Sequence, residues 1–104
     1  MDDIVTQVHT TATKLILYLP HAVSQMARPQ RRIRRNEVES VVMTGEVIED
    51  YPNDSRGHSC LLLGYGRSGR PIHVVCAPKA DYLAIITAYL PDPDLWDDSF
   101  RRRK

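Results

Sequence analysis

The sequence lacks the features that mark several protein classes. It has two cysteines, one tryptophan and one phenylalanine among 104 residues, and no run of about 18 apolar residues, the length of a membrane-spanning helix. Cys60 and Cys76 show no CxxC or HxxxH spacing, so we expect free buried thiols and no metal site. The acidic start, residues 1–3, is unlike a signal peptide, and we expect a cytoplasmic protein.

Catalytic signatures are also missing. There is no glycine-rich nucleotide-binding loop and no nucleophile motif, so no pattern favours an enzyme acting on a small metabolite. We therefore expect no cofactor.

Charge is unevenly distributed along the chain, although its formal net value is only +1. Nine of the 14 lysines and arginines fall in residues 28–35 and 101–104, whereas acidic residues cluster in 46–54 and 92–98. A chain polarised in this way can present a basic surface to phosphate groups. Alternatively, the arginines only keep a helix and a tail in water.

Helical periodicity predicts a first helix near the N-terminus. Asp2 or Asp3 can cap it. Its apolar residues recur at helical spacing: Ile4, Val8, Ala12 and Leu15. Residues 15–19 fit either the end of this helix or a short edge strand, because the segment is too short for periodicity to decide.

Pro20 predicts the start of a second helix, since proline suits a first helical turn. His21 lies on one face of it with Gln25 and Arg28. His21 is either a site residue or a helix-start histidine with a local hydrogen bond. The helix either continues past Pro29 or ends at residue 27 before a basic connector.

A capping box predicts the third helix. Asn36 suits the N-cap and Glu39 the third helical position, and Gly45 follows as the expected left-handed C-cap.

Residues 45–89 predict four strands separated by turns. They cover 46–51, 58–65, a segment opened by Pro71, and 83–90. Strand alternation places Val47, Glu49 and Tyr51 on one face. After the last strand, Leu95 and Trp96 are expected to cap the core, while residues 100–104 are expected to fray. An exposed edge, either 46–51 or 83–90, can pair with a second chain, which is either another copy in a homodimer or a different partner protein.

Several phrases of the chain resemble a known family. They are GEVIEDYP (45–52), SCLLLG (59–64), RPIHVV (70–75) and IITAYLPDP (85–93), joined by His21-Ala22, Met26, Arg28 and Glu37-Val38. Over about residues 20–96 the chain is similar to the domain-of-unknown-function family 4258. The chain departs from that family at residues 28–33, where the family has a Gly-Ile turn between its helices.

The resemblance implies a fold and a function. The fold is α+β, with N-terminal helices packed on one face of a four- to five-stranded, mainly antiparallel sheet, as in RelE and BrnT ribonuclease toxins. Residues 1–104 would form one domain, with an extra helix in 1–19, the family core in 20–96 and a basic tail in 97–104. The implied partner, besides RNA, is a cognate antitoxin, for example of the zinc-finger YgiT or MqsA type.

Metal-free RNA cleavage needs a base, an acid and cations on the phosphate. His73 is the preferred acid or base because it interrupts an apolar strand and its imidazole can serve either role. The further candidate catalytic residues are Glu49, Tyr89 and His21. The candidate RNA-binding and phosphate-binding residues are Arg28, Arg32, Arg67, Arg70, Tyr51 and Thr87.

Each of these residues also has a structural interpretation. A strand histidine is more often a hydrogen-bonded core residue, Glu49 can form an ion pair with an arginine, and tyrosines pack well in strands. Two functions therefore stay open. One is a toxin ribonuclease, and the other is a non-catalytic module that binds RNA or a protein.

Overall fold

A computed structural model describes residues 3–104, in which three α-helices and one short 3₁₀ helix accompany a five-stranded sheet. The helices are α1 (Ile4–Ala12), α2 (Pro20–Met26) and α3 (Arg35–Thr44), and the 3₁₀ helix is Arg67–Gly69. The strands are β1 (Ile16–Tyr18), β2 (Glu46–Tyr51), β3 (Ser59–Tyr65), β4 (Pro71–Pro78) and β5 (Leu83–Tyr89). None of these helices is long and apolar enough to cross a bilayer.

The strands are ordered β1-β5-β4-β3-β2, and only the β1–β5 pair is parallel. This confirms the predicted α+β class with a mainly antiparallel sheet. β1 and β2 are the edges. The expectation that residues 83–90 form an edge was wrong, because residues 16–18 add a parallel strand beside β5.

The sheet has one face in the helix-lined core. Buried side chains of the helices, such as Val8, Ala22 and Val38, form one cluster with Ile72 and Val74. Because successive strand residues point to opposite faces, His73 and Val75 lie on the other face. That second face carries most of the polar residues of interest.

The starts of α1 and α2 match the signals in the sequence. Asp3 caps α1 by accepting a hydrogen bond from the Thr6 amide at 2.9 Å, while the alternative cap, Asp2, lies outside the described residues. α2 begins at Pro20 and ends at Met26. This confirms the alternative in which the helix ends before a basic connector. The connector comprises residues 27–34, between α2 and α3.

The predicted cap of α3 was wrong by two residues. The N-cap is Arg34, and Glu37 occupies the third helical position, where its carboxylate accepts from the Arg34 amide at 3.0 Å. The Glu37 carboxylate also accepts from the Arg67 amide, in the turn after β3, at 2.9 Å. A tertiary contact thus helps to hold this acid at the start of the helix.

Gly45 ends α3, but it is extended (φ −73°) rather than left-handed. A Cβ there would lie 2.5 Å from the Val41 carbonyl oxygen and 2.7 Å from the Leu63 carbonyl oxygen. Gly45 is thus required for close backbone approach between α3 and the sheet.

The prediction that Val47 shares a face with Glu49 and Tyr51 was also wrong. The β2–β3 register shifts between Val47 and Glu49, as in a β-bulge, so the alternation breaks there. Val47 packs against the helix-lined core, whereas Glu49 and Tyr51 point to the second face.

Residues 95–104 cover that second face, and we call them the C-terminal strap. Trp96 is 3% exposed and forms a bridge with Arg103, while the Lys104 amide donates to the Leu95 carbonyl at 2.9 Å. Capping by Trp96 is confirmed, but Leu95 is 62% exposed. The expected fraying of 100–104 was wrong, because Arg101 pairs with Glu46 and Arg103 pairs with Glu49 on β2.

Candidate functional site

His73 lies at the centre of the second face and is fully buried. Its Nε2 is 2.8 Å from the Phe100 carbonyl oxygen. Since a carbonyl can only accept, Nε2 carries the proton. In a neutral ring, Nδ1 then accepts from the Tyr89 hydroxyl, 3.3 Å away. Strand register makes this second contact, because His73 and Tyr89 are opposite each other on β4 and β5.

Two rings enclose the imidazole of His73. Trp96 meets it edge to face with ring centroids 4.4 Å apart, and Tyr89 does so at 5.3 Å. This burial lowers the pKa of His73, and it outweighs the opposing effect of the Phe100 carbonyl. The ring is therefore neutral and occupied at both nitrogens, so His73 positions the strap in this conformation.

Glu49 links β2 to the strap. Arg103 donates to both of its oxygens, from Nε and Nη2 at 3.1 Å each, and the Tyr51 hydroxyl donates to the same carboxylate. Arg103 also lies over the Trp96 ring, 4.7 Å from the centroid. These contacts hold the arginine in one orientation.

The same contacts set the protonation of the Glu49 group. Burial opposes ionisation of Glu49, but hydrogen bonds from Arg103 and Tyr51 outweigh it and lower the pKa of the carboxyl. Burial and the Glu49 hydrogen bond raise the pKa of Tyr51 to about 12. At neutral pH the group is thus a carboxylate, a guanidinium and a neutral phenol.

An open cavity of about 490 Å³ adjoins these residues, and we call it the pocket. It is lined by His21, Tyr51, Asp54, Arg56, Val75, Ile86, Thr87 and Arg103. Pro20 starts α2 and so places His21 at the rim, where it is exposed. The irregular register of β5 opposite Val75 brings Ile86 and Thr87 to the wall.

The sequence-predicted site residues therefore fall into three groups. The structure brings His21, Tyr51 and Thr87 to the pocket, with Glu49 directly behind Tyr51 and Arg103. The buried His73 and the half-buried Tyr89 form an adjoining hydrogen-bonded pair. None of the four arginines expected to bind phosphate lines the pocket.

Those arginines lie in the connector and in or next to the turn after β3. Arg70 forms an ion pair with Glu37, Nη2 to Oε1 at 3.0 Å, and donates to the carbonyls of Arg31 and Arg32. Arg67 donates to the Arg32 carbonyl at 3.1 Å. Arg70 and Arg67 thus hold the connector in place. Arg28 and Arg32 are largely solvent-facing.

Sequence reasoning missed Arg56 and Arg103, the two cations of the pocket. Arg56 pairs with Asp54, Nη2 to Oδ2 at 2.9 Å, two positions away in a turn. Arg103 was assigned to a fraying tail. The only sequence signal for an ordered C-terminal segment was the nearby Trp96, because a tryptophan that is buried keeps the residues around it close to the core.

The family model described as "Domain of unknown function (DUF4258)" matches residues 18–90, more than half of the chain. The chain belongs to the DUF4258 family. The match includes His21, Tyr51, His73 and Thr87, but it leaves out α1 and the whole strap with Arg103. Searches of curated proteins and of solved structures found no match.

Proposed function

We propose that this DUF4258 protein is a metal-independent endoribonuclease and the toxin of a bacterial toxin–antitoxin pair. One observation carries the proposal. The pocket is lined by an exposed histidine, His21, and by a tyrosine and an arginine that a partly buried carboxylate holds in place. These are the groups that acid–base cleavage of a phosphodiester requires.

The proposed chemistry uses the 2′-hydroxyl of RNA as the nucleophile. His21 takes its proton while the 2′-oxygen bonds to phosphorus, and the bond from phosphorus to the 5′-oxygen breaks. Tyr51 protonates that leaving oxygen, and Arg103 stabilises the charge on the phosphate. The products are a 2′,3′-cyclic phosphate and a free 5′-hydroxyl.

In this proposal Glu49 and His73 are positioning residues. Glu49 orients Arg103 and Tyr51, and His73 anchors the strap that carries Arg103. His73 itself could act as acid or base only after the strap had left its ring. The proposal also includes a cytoplasmic location, RNA as substrate and a cognate antitoxin. That the antitoxin is of the zinc-finger type and that the protein forms a homodimer are further hypotheses.

A second candidate is a non-catalytic RNA- or protein-binding module. It is favoured by the occupied ring nitrogens of His73 and by the pairing of Arg56 and Arg103 with carboxylates. A paired guanidinium stabilises a new charge less than a free one. Salt-sensitive RNA binding without cleavage would support this candidate.

The deciding experiment incubates purified protein with an RNA oligonucleotide and excess EDTA. We expect cleavage to a cyclic phosphate by the wild type and a loss of about 100-fold or more in His21→Asn. His9→Asn, a histidine on α1, is the matched control and should keep full activity. Cleavage that His21→Asn leaves intact would contradict the proposed site, and absence of cleavage at confirmed folding would leave the binding module.

A further inference from the structure

Two neighbouring cavities form one groove beside α2, on a different set of residues from the pocket. One, of about 190 Å³, is lined by Tyr18, Val23, Met26, Ala27, Ile33 and Arg35. The other, of about 410 Å³, is lined by Met26, Ala27, Arg32, Ile33, Arg34 and Arg67. They share Met26, Ala27 and Ile33, so we treat them as one surface, the α2 groove.

The floor of the α2 groove is aliphatic and its rim is basic. Val23 is 48% exposed, and Ala27 is exposed beside it. Four arginines line the two cavities, whereas no acidic residue does so in the part of the chain that is described. Within residues 3–104, Arg32 and Arg34 form no ion pair.

The groove is built in advance of any ligand. The Ile33 amide donates to the Met26 carbonyl at 3.0 Å, which folds the connector back onto α2. Arg70 clamps the carbonyls of Arg31 and Arg32 while Glu37 holds its guanidinium. A preformed surface loses little conformational entropy on binding.

The chemistry of the surface selects its occupant. Aliphatic side chains gain about 25 cal/mol per Å² of apolar area that a partner buries, and arginines gain from carboxylates. Single-stranded RNA instead needs aromatic faces for its bases. Tyr18 is the one aromatic residue of the described lining, and Arg35 already covers its ring at 5.0 Å.

We propose that the α2 groove docks an acidic, amphipathic segment of a partner protein, with apolar side chains on Val23 and Ala27 and carboxylates on Arg32 and Arg34. This mode matches the helix-in-groove recognition of peptides. The proposal stands apart from RNA cleavage, because none of its residues lines the pocket.

The test is a selection of random peptides displayed against the full chain. We expect enriched sequences that combine glutamate or aspartate with leucine, isoleucine or phenylalanine at helical spacing. A synthetic copy of the best one is then measured by fluorescence anisotropy. Arg34→Glu reverses a charge on the rim, and Val23→Asp places a charge where the bound peptide would bury it. Each substitution should weaken binding by about tenfold or more.

The control variant is Arg102→Glu, an exposed arginine of the strap, which should leave the peptide affinity within about twofold. Circular dichroism confirms that all variants are folded. Enriched peptides without acidic residues, no enrichment, or binding that Arg34→Glu leaves unchanged would overturn the proposal. Displacement of the peptide by a uridine oligonucleotide, with the oligonucleotide also weakened by Arg34→Glu, would instead make the groove an RNA surface.

Discussion

The pocket and the α2 groove both present arginines, but they hold them differently. In the pocket, Arg56 and Arg103 are each bonded to a carboxylate. In the groove, Arg32 and Arg34 have no carboxylate partner among residues 3–104. A fixed guanidinium can orient a phosphate at a reacting position, whereas a free one attracts acidic partners from solution. Both sequence clusters are basic, yet 101–104 contains the paired Arg103 and 28–35 contains the unpaired Arg32 and Arg34. Membership of a cluster therefore does not predict whether an arginine is held by a carboxylate.

Arg70 differs from the arginines of both surfaces. Arg70 serves neither surface directly, because Glu37 and two backbone carbonyls take up its donors. Burial opposes ionisation of Glu37, but hydrogen bonds from the Arg34 amide, Arg70 and the Arg67 amide outweigh it and lower the pKa of the carboxyl. The Arg70–Glu37 pair is structural, and it holds in place the connector that lines the α2 groove.

The largest expected effect comes from breaking that pair. Glu37→Gln should lower the free energy of unfolding by about 3 kcal/mol, because Glu37 is 6% exposed and the substitution leaves the charge of Arg70 without a carboxylate to balance it. Urea denaturation measures the change. Arg34→Gln, on the exposed rim, is the control and should stay within about 0.5 kcal/mol. A loss for Glu37→Gln equally small would mean that the connector does not depend on this pair.

A second, smaller effect concerns the fixed cation of the pocket. Arg103→Met should reduce RNA cleavage by about 100-fold, the usual cost of removing one charge-stabilising donor. Trp96 is the sole tryptophan, so its fluorescence shows whether the strap stays docked in the variant. Arg102→Met is the matched control and should cleave normally. Full activity in Arg103→Met with a docked strap would remove Arg103 from the site.

The smallest expected effect is a pH dependence of the free energy of unfolding, caused by His73 on the second face. Burial lowers the pKa of His73 in the folded state, so the unfolded chain binds this proton more readily. The free energy of unfolding should therefore be fully retained above the unfolded value of about 6.5 and decline as the pH falls through it.

His73→Gln removes this titration, so its stability should fall less than that of the wild type between about pH 7.5 and 5.5. Urea midpoints at both pH values measure the difference, and the other histidines are common to both proteins. An equal decline in the two proteins would show that the His73 ring is not buried neutral.

Local patterns predicted most of the elements. Pro20 predicted the start of α2, and glycines and prolines separated the strands, because these signals act through backbone conformation within a few residues. Residues 15–19 could not be assigned, since β1 exists only through its pairing with β5. The caps of α3 were mispredicted for a similar reason, because Glu37 and Gly45 are chosen by distant partners.

The candidate site was predicted only in part. Alternation and polarity picked out Glu49, Tyr51, His73, Thr87 and Tyr89, and register places these residues on one face. The strap was missed because Arg101 and Arg103 pair with Glu46 and Glu49, more than 50 positions earlier. No local pattern reports contacts at that separation.

The most direct test of RNA binding at the pocket is an NMR titration of the labelled protein with a 2′-O-methyl uridine oligonucleotide, which cannot be cleaved because it lacks the nucleophile. We expect chemical-shift changes at His21, Tyr51, Thr87 and Arg103, with little change at Arg32 and Arg34. Shifts confined to Arg32, Arg34 and Arg67 would contradict it, because RNA would then bind the α2 groove.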